Sequence, residues 1–258
     1  MNIQNIYSKF DEFQSFIDTV NASNPISAIC LNECWIGENS DISSLKLPNY
    51  NMFIKRGNRK GHGHCGLVIY VHDQFKATEL TINQESTMWD YLCVEISHHS
   101  KASKKYILCD LYRLPGGNVD EFRLFSDEFS SFLTSMKQLK HATFVTGDFN
   151  IDLLKIDTNA HFNSYFDRII AKGFFPRITL PTRLSATSNY TTNTLIDNIF
   201  TNNIEENSKS NSGILINEIS DHKMISRFKK YTYTMKRLKN MWRLKRKMTC
   251  PYKNLSMN

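Results

Sequence analysis

The spacing of hydrophobic residues along the chain predicts three amphipathic helices. Phenylalanine and isoleucine recur at helical intervals over residues 8–20, which places them on one face of a helix. A second helix begins at Asn118, because Glu121 follows three residues later in the arrangement of a capping box. A third helix carries the apolar positions of residues 162–170 and ends at Gly173, a residue type that commonly terminates helices.

Short apolar runs between these helices predict strands. The runs are rich in β-branched and aromatic residues, and segments with turn-forming residues separate them. The predicted strands cover residues 28–31, 51–54, 66–71, 91–97, 106–112 and 141–146. Strands of antiparallel character with helices inserted between them predict an α/β fold, in which two packed sheets are covered by helices on the outside.

Acidic and amide side chains recur where the predicted strands end. Glu33 follows the first strand, and Asp148 and Asn150 follow the strand over residues 141–146. A single acid in such a place is more often a solvated cap, and residues 147–150 taken alone could be an ordinary turn. Their interpretation therefore depends on whether other strands show the same feature.

Two further segments repeat the pattern. Asp197 lies inside a strand-like run, where an acid without a partner would be costly to bury. Asp221 and His222 follow the apolar run over residues 214–219. A buried Asp197 needs a partner, and His222 is the natural one. Four such positions, one with an adjacent histidine, are hard to attribute to caps alone.

The order of these residues resembles that of the endonuclease/exonuclease/phosphatase superfamily, and more narrowly the apurinic-type endonuclease domain of non-LTR, LINE-like retrotransposons. The matching motifs are Leu31-Asn32-Glu33-Cys34-Trp35-Ile36, Gly66-Leu67-Val68-Ile69-Tyr70-Val71, Tyr112-Arg113-Leu114-Pro115, Gly147-Asp148-Phe149-Asn150, Pro181-Thr182-Arg183, Leu195-Ile196-Asp197 and Ser220-Asp221-His222. They occur in the family's order over residues 2–226. The resemblance implies a four-layer α/β sandwich of two mainly antiparallel sheets flanked by helices.

The resemblance also implies a role for each residue of the site. It assigns catalysis to Asp148, Asn150, His222, Asp197 and Tyr112, metal binding to Glu33, Asn2 and Asp221, and nucleic-acid binding to Arg113 and Arg183. The expected cofactor is Mg²⁺, with Mn²⁺ as a substitute, since hard oxygen donors suit these ions. In this scheme Asp148 is the general base, and Asp197 orients His222 toward a phosphate oxygen.

The expected activity is a Mg²⁺-dependent phosphodiesterase, most specifically a DNA endonuclease that nicks one strand and leaves a 3′-hydroxyl for retrotransposition. Two alternatives stay open. One is a phosphoesterase acting on a phosphoinositide or nucleotide, and the other is a non-catalytic, degenerate retrotransposon copy that only binds DNA. The expected partners are DNA and, in an intact element, a reverse transcriptase, which this sequence does not contain. A monomer is expected.

Charge divides the chain into two parts. The formal net charge is +7, yet the residues after His222 hold 12 of the 32 Lys and Arg and none of the 25 Asp and Glu, so the rest is mildly acidic. We expect an endonuclease domain over residues 1–228, with its first strand truncated before Asn2, and a basic tail over residues 229–258. The tail fits phosphate binding, nuclear localisation or a solvated linker.

Cysteine usage and hydropathy indicate the cellular compartment in which the protein is expected. The six cysteines lie mostly in apolar runs and form no C-x-x-C pair, which predicts buried free thiols in a reducing compartment. The sequence has no N-terminal apolar signal region and no apolar run of about 18 residues. The protein is therefore expected in the nucleus or cytoplasm, neither secreted nor in a membrane.

Overall fold

A computed structural model describes residues 1–57, 65–82, 86, 88–99, 104–186, 191–203, 210–215 and 219–229. The basic tail predicted over residues 229–258 lies outside this range, apart from its first residue. The described helices are α1 (Ile6–Asn21), α2 (Val119–Gln138) and α3 (Ala160–Ala171). The described strands are β1 (Ala28–Leu31), β2 (Tyr50–Lys55), β3 (Leu67–His72), β4 (Phe75–Glu79), β5 (Trp89–His98), β6 (Lys105–Arg113), β7 (Ala142–Asp148), β8 (Phe175–Pro176), β9 (Arg183–Ala186), β10 (Thr191–Thr194), β11 (Asp197–Thr201), β12 (Ser210–Leu215) and β13 (Met224–Lys229).

The strands form two sheets and two hairpins. One antiparallel sheet has the order β1-β3-β2, and a second has the order β4-β5-β6-β7-β11-β8. In the second sheet β6 and β7 are parallel and the other neighbours are antiparallel. The parallel pair needs a crossover connection, and α2 provides it. Strands β9 and β10 pair as one hairpin, and β12 and β13 as the other.

The alternation of side chains along β3 shows how the sheets and helices pack. Ile69 and Val71 share a buried cluster with Leu92 and Val94 of β5, between the two sheets. Tyr70, on the opposite face of β3, belongs to a cluster that also contains the buried face of α1. On the far side of the six-stranded sheet, α2 and α3 cover a third cluster. The fold is therefore the predicted α/β sandwich of sheets flanked by helices.

Aromatic packing attaches α2 to the six-stranded sheet. The Trp89 ring lies 5.3 Å from the Phe132 ring in an edge-on arrangement, and its Nε1 donates a hydrogen bond of 2.8 Å to Glu128. The predicted capping box of α2 is present, since Asn118 accepts from the Glu121 amide and its own amide donates to the Glu121 side chain. This helix therefore begins where its sequence predicts.

Two cysteines differ from the prediction of free thiols. Cys93 of β5 and Cys109 of β6 lie directly opposite each other, with their Cα atoms 4.1 Å apart, and are joined by a disulfide bond. Both side chains point into the cluster beneath α2, because the strand register places them on the same face. Cys30, Cys34 and Cys65 form no disulfide bond among the described residues, as predicted, and Cys250 lies outside that part of the chain.

One acid within β6 is fully buried between the sheets. Asp110 is 0% exposed and accepts a hydrogen bond of 2.8 Å from Asn32, the residue after β1. Burial raises the pKa of Asp110 to about 7, although the Met1 ammonium and the Asn32 hydrogen bond oppose this change. Among the described residues no helix combines the length and apolar character needed to cross a membrane.

The raised pKa of Asp110 predicts a stability that depends on pH. An acid whose pKa is higher in the folded state favours folding while it is protonated, and this contribution is lost as the pH rises from about 4 to about 7. Asp110→Asn keeps the shape without the charge, so it should raise the free energy of unfolding at pH 8 by a few kcal/mol and change it little at pH 4.

Urea denaturation of both proteins at the two pH values measures this difference. The exposed Asp11→Asn serves as the matched control and should follow the parent chain at each pH. An Asp110→Asn protein no more stable than the parent at pH 8 would contradict the prediction.

Candidate active site

The end of β7 is shaped so that Asp148 lies at the boundary of the two sheets. Gly147 has φ +142°, and a Cβ atom there would overlap the carbonyl oxygen of Leu111 in β6, so glycine permits the close approach of the strands. Asp148 Oδ1 accepts a hydrogen bond of 2.9 Å from the Asn150 amide, which closes an Asx turn. Asp148 is 1% exposed and is thereby held in one orientation.

Asn2 connects carboxylates that come from different sheets. Its Nδ2 donates to Glu33 Oε1 at 2.8 Å and to Asp148 Oδ2 at 3.1 Å. Asn2 is fully buried and forms a parallel bridge with Asn32, beyond the end of β1. Since carboxylates only accept hydrogen bonds, the amide nitrogen must face them. Asn2 Oδ1 is then a buried oxygen without a hydrogen-bond partner among the described residues.

His222 lies between two buried aspartates. Its Nδ1 is 3.1 Å from both carboxylate oxygens of Asp197 and 3.7 Å from Asp148 Oδ2. Because these oxygens only accept, Nδ1 carries the proton and Nε2 is left for another contact. Burial opposes a charge on the imidazole, but the hydrogen bond and charge of Asp197, with the charges of Asp148 and Asp221, raise the pKa of His222 overall.

The pKa of Asp148 is raised above that of an aspartate in water. Burial is the largest cause of its raised pKa, and the charge of Asp197 adds to it. The positive charge of His222 and the hydrogen bonds from Asn2 and Asn150 act in the opposite direction. The protonation of Asp148 therefore depends on the charges of His222 and Asp197, and the hydrogen bond from Asn2 fixes the Asp148 carboxyl group.

Tyr112 lies beside the same carboxylates. It pairs with Asp148 in the register of β6 and β7, and it is buried between the sheets. Burial, followed by the nearby charges of Glu33 and Asp148, raises the pKa of the Tyr112 phenol. The phenol stays protonated and can donate a hydrogen bond. The structure thus brings together six of the predicted residues: Asn2, Glu33, Tyr112, Asp148, Asp197 and His222.

Asp221 and Arg183 form an ion pair at the edge of this group. Arg183 Nε lies 2.8 Å from Asp221 Oδ2, and Gln4 Nε2 donates to Asp221 Oδ1 at 2.9 Å. Arg183 also forms an isolated bridge with His222, and its side chain is 41% exposed. Arg183 is therefore accessible beside His222, as its predicted contact with nucleic acid requires.

Arg113 does not lie where a nucleic-acid contact would require it. It is 2% exposed, and its guanidinium group donates to the carbonyl oxygens of Asn150 and Gly116 at 3.3 and 2.9 Å. The rings of Phe122 and Phe125 of α2 cover it. The prediction that Arg113 binds nucleic acid is therefore wrong, because the helical layer separates its side chain from solvent.

Asn2 and Glu33 offer oxygen atoms of the kind that bind a divalent cation. The unpartnered Asn2 oxygen and the partly exposed Glu33 carboxylate are hard donors of the kind that Mg²⁺ prefers. Asp148, Asp197 and His222 also offer ligand atoms within 4.8 Å of one another. There, however, the N–H of His222 already occupies the space between the carboxylates, so that group is better explained as a hydrogen-bonded set.

Asp221 differs from the other two predicted metal ligands in its surroundings. Its oxygens are engaged by Gln4 and Arg183, and among the described residues no hydrogen bond joins it to Asn2 or Glu33. The charge of His222 and the hydrogen bond and charge of Arg183 lower the pKa of Asp221 against the opposing effect of burial. Asp221 is thus ionised at the edge of the group, one layer outside Asn2 and Glu33.

Two supporting residues received no role from the sequence. Thr182 is fully buried, and its hydroxyl accepts from the Asp197 amide at 3.1 Å, while its carbonyl accepts from Lys223. Gln4 holds Asp221 from the opposite side to Arg183. The Pro181-Thr182-Arg183 motif was a signal for Thr182.

Sequence comparison finds no matching family model and no matching curated protein. Solved structures, in contrast, are similar over most of the chain. The APE2 catalytic domain of Xenopus laevis has 16% identity and a TM-score of 0.65, with 89% of this chain and 90% of that chain covered. The endonuclease domain of TRAS1, a telomere-specific non-LTR retrotransposon, has 13% identity and a TM-score of 0.60, covering 85% and 93%.

A third similar structure is the 3′-5′ exonuclease NExo of Neisseria meningitidis, with 12% identity, a TM-score of 0.62 and coverage of 89% and 98%. The endonuclease/exonuclease/phosphatase family protein of Leptotrichia buccalis is also similar, with a TM-score of 0.59. The chain therefore has the fold of the endonuclease/exonuclease/phosphatase superfamily, as its motifs predict.

The geometry around Asn2 predicts that Glu33 contributes to cation binding. Glu33→Gln keeps the size of the side chain but removes its charge, so the affinity for Mn²⁺, measured by titration calorimetry, should fall by about tenfold or more. Glu38→Gln changes an exposed acid of the same loop and is the matched control. Equal Mn²⁺ affinity in the Glu33→Gln and parent proteins would place the cation elsewhere.

Proposed function

We propose that this chain is a Mg²⁺-dependent DNA endonuclease that nicks one strand and leaves a 3′-hydroxyl, as a retrotransposon needs to prime reverse transcription. One observation carries the proposal: a continuous series of contacts joins Glu33, Asn2, Asp148, His222 and Asp197 across the boundary of the two sheets. It combines oxygen donors that a cation could use, a buried carboxylate and a protonatable histidine, and phosphodiester hydrolysis requires groups of these kinds.

Asp148 is suited to the activation of water. Its raised pKa makes it a stronger base than an ordinary aspartate, and hydrogen bonds from Asn2 and Asn150 fix its two oxygens. Asn150 donates from Nδ2 to the Arg113 carbonyl at 2.7 Å, which leaves its carboxamide oxygen to orient the attacking water. In this role Asp148 accepts the proton of the water molecule.

His222 and Tyr112 are placed to stabilise the phosphate. The Asp197 carboxylate holds the proton on Nδ1 of His222, so Nε2 of the imidazolium can donate to a phosphoryl oxygen. Tyr112 stays protonated and can donate to the scissile phosphate or to the leaving oxygen. Asn2 and Glu33 would hold Mg²⁺, with Asp221 acting through water, and the ion would supply positive charge where the phosphate becomes more negative.

The edge of the site favours a long nucleic-acid substrate over a small phosphate ester. Arg183 is half-exposed there, and Leu180 and Leu184 on either side of it are 65% and 47% exposed. Arginine contacts to phosphates supply affinity, and exposed apolar side chains can wedge against bases. TDP2 of D. rerio, another similar structure, contains a single-strand DNA product, which agrees with this choice.

A plasmid assay tests the proposed activity. Supercoiled DNA should convert to the nicked circle in the presence of Mg²⁺ and not with EDTA, and a polymerase should extend the nick because it carries a 3′-hydroxyl. His222→Gln keeps a donor toward Asp197 but cannot carry the positive charge, so its nicking rate should fall by about a hundredfold or more.

The same assay separates the alternatives. Thermal denaturation of His222→Gln checks that the lost activity does not come from lost folding. Glu38→Gln is a matched control that neutralises an exposed acid outside the series of contacts. A chain that binds DNA but never nicks it would support a non-catalytic role instead. Hydrolysis of a nucleotide or phosphoinositide without nicking would support the smaller substrates.

We further propose that the basic tail adds affinity for DNA without taking part in the chemistry. Its lysine and arginine side chains would neutralise phosphates and release counterions. Removal of residues 229–258 should therefore weaken DNA binding and flatten its dependence on salt, while the maximal nicking rate stays within about twofold. Fluorescence anisotropy across a series of salt concentrations measures both effects, and an unchanged salt slope would assign the tail another role.

A further inference from the structure

Arg113 is a buried cation, and no carboxylate of the described residues lies at ion-pair distance from it. Its guanidinium group is instead surrounded by backbone carbonyls and by aromatic rings, with its centre 5.1 Å from the Phe125 ring and 5.7 Å from the Phe122 ring. Burying a charge in this way costs free energy, and an apolar side chain could fill the same space at less expense. A contribution to stability therefore does not explain why an arginine occupies this position.

The contacts of Arg113 point to the catalytic turn. Its Nη1 donates to the Asn150 carbonyl oxygen, and Asn150 Nδ2 donates back to the Arg113 carbonyl oxygen at 2.7 Å. Nη2 donates to Gly116, which ties the segment after β6 to the same group. Asn150 has φ +49°, a backbone conformation that asparagine tolerates but that is held more firmly when both of its polar ends are fixed.

The same contacts fix three proposed catalytic side chains relative to one another. Arg113 follows Tyr112 directly, and Tyr112 pairs with Asp148 in the parallel register of β6 and β7. Asn150 is in turn bonded to Asp148 through its amide. The rings of Phe122, Phe125 and Tyr165 form one packed set, so the guanidinium group is anchored to both α2 and α3.

We propose that Arg113 is a positioning residue, which holds the Asp148–Asn150 turn against the end of β6 so that Tyr112, Asp148 and Asn150 face one substrate. The inference rests on the proposed nuclease function and deepens it. Arginine is needed because its planar group donates to two carbonyls and stacks on rings, whereas lysine is a point charge with neither property. The clamp acts through geometry and makes no contact with DNA.

Arg113→Lys tests the clamp by its effect on the plasmid assay. The turnover rate should fall by about tenfold to a hundredfold, because small displacements of catalytic groups are costly, while KM for plasmid changes less than about twofold. In an Asn150→Ala background the same substitution should cause a smaller further loss, since the side-chain half of the contact and the oxygen that orients water are already lost, although the carbonyl of residue 150 stays. Independent, multiplicative losses would overturn the inference.

Amide hydrogen exchange provides a readout that does not depend on activity. In Arg113→Lys the Asn150 amide, which donates to Asp148, should exchange about tenfold faster than in the parent chain. The Val145 amide, in the middle of β7, should exchange at the parent rate. Faster exchange at Asn150 in a chain that never nicks DNA would support the clamp and contradict the nuclease.

A matched destabilised variant controls for a general loss of stability. Phe132 lies in the same core beneath α2, and its described ring contacts are with Trp89, Tyr91 and Phe129 rather than with the turn. Phe132→Leu should therefore lower the melting temperature without changing the turnover rate. An equal loss of turnover in Phe132→Leu and Arg113→Lys would contradict the clamp and show that Arg113 acts only through stability. Unchanged turnover and exchange in Arg113→Lys would overturn the clamp and leave the nuclease proposal intact.

Discussion

Buried carboxylates at the boundary of two sheets are the constraint around which this molecule is arranged. Asp148, Asp197 and Asp110 are almost completely removed from water, where an ionised carboxylate without partners would be very costly. Each has a neutral amide or an imidazole as its first partner: Asn2, His222 and Asn32 respectively. The acids therefore stay close together without a cationic side chain to neutralise each of them.

Because of this arrangement, the packing of the two sheets also determines the geometry of the site. Asn2 reaches both Glu33, which follows the three-stranded sheet, and Asp148, which ends a strand of the six-stranded sheet. The apolar cluster between β3 and β5 holds the sheets at the distance that these hydrogen bonds need. A change in that cluster would separate the carboxylates as well as loosen the core, so stability and chemistry are coupled here.

Much of the fold follows from local sequence, because its signals are local. The capping box of Asn118 and the β-branched runs depend on neighbouring residues, and the structure confirms them. The pairing of His222 with Asp197 could also be predicted from the sequence, since a buried acid needs a partner. Arg113 was misassigned because nothing beside it shows that Phe122 and Phe125 will cover it, and Cys93 meets Cys109 only in one strand register.

The series of contacts around Asn2 also determines at what stage of synthesis and folding the candidate active site can form. Asn2 and Asp148 are 146 positions apart in the chain, and His222 comes later still. Contacts between such distant segments form late, because the intervening loops must first be closed. A nascent polypeptide therefore cannot assemble the full set of groups until its synthesis has passed His222, and any reactivity that they possess is withheld until the domain is complete.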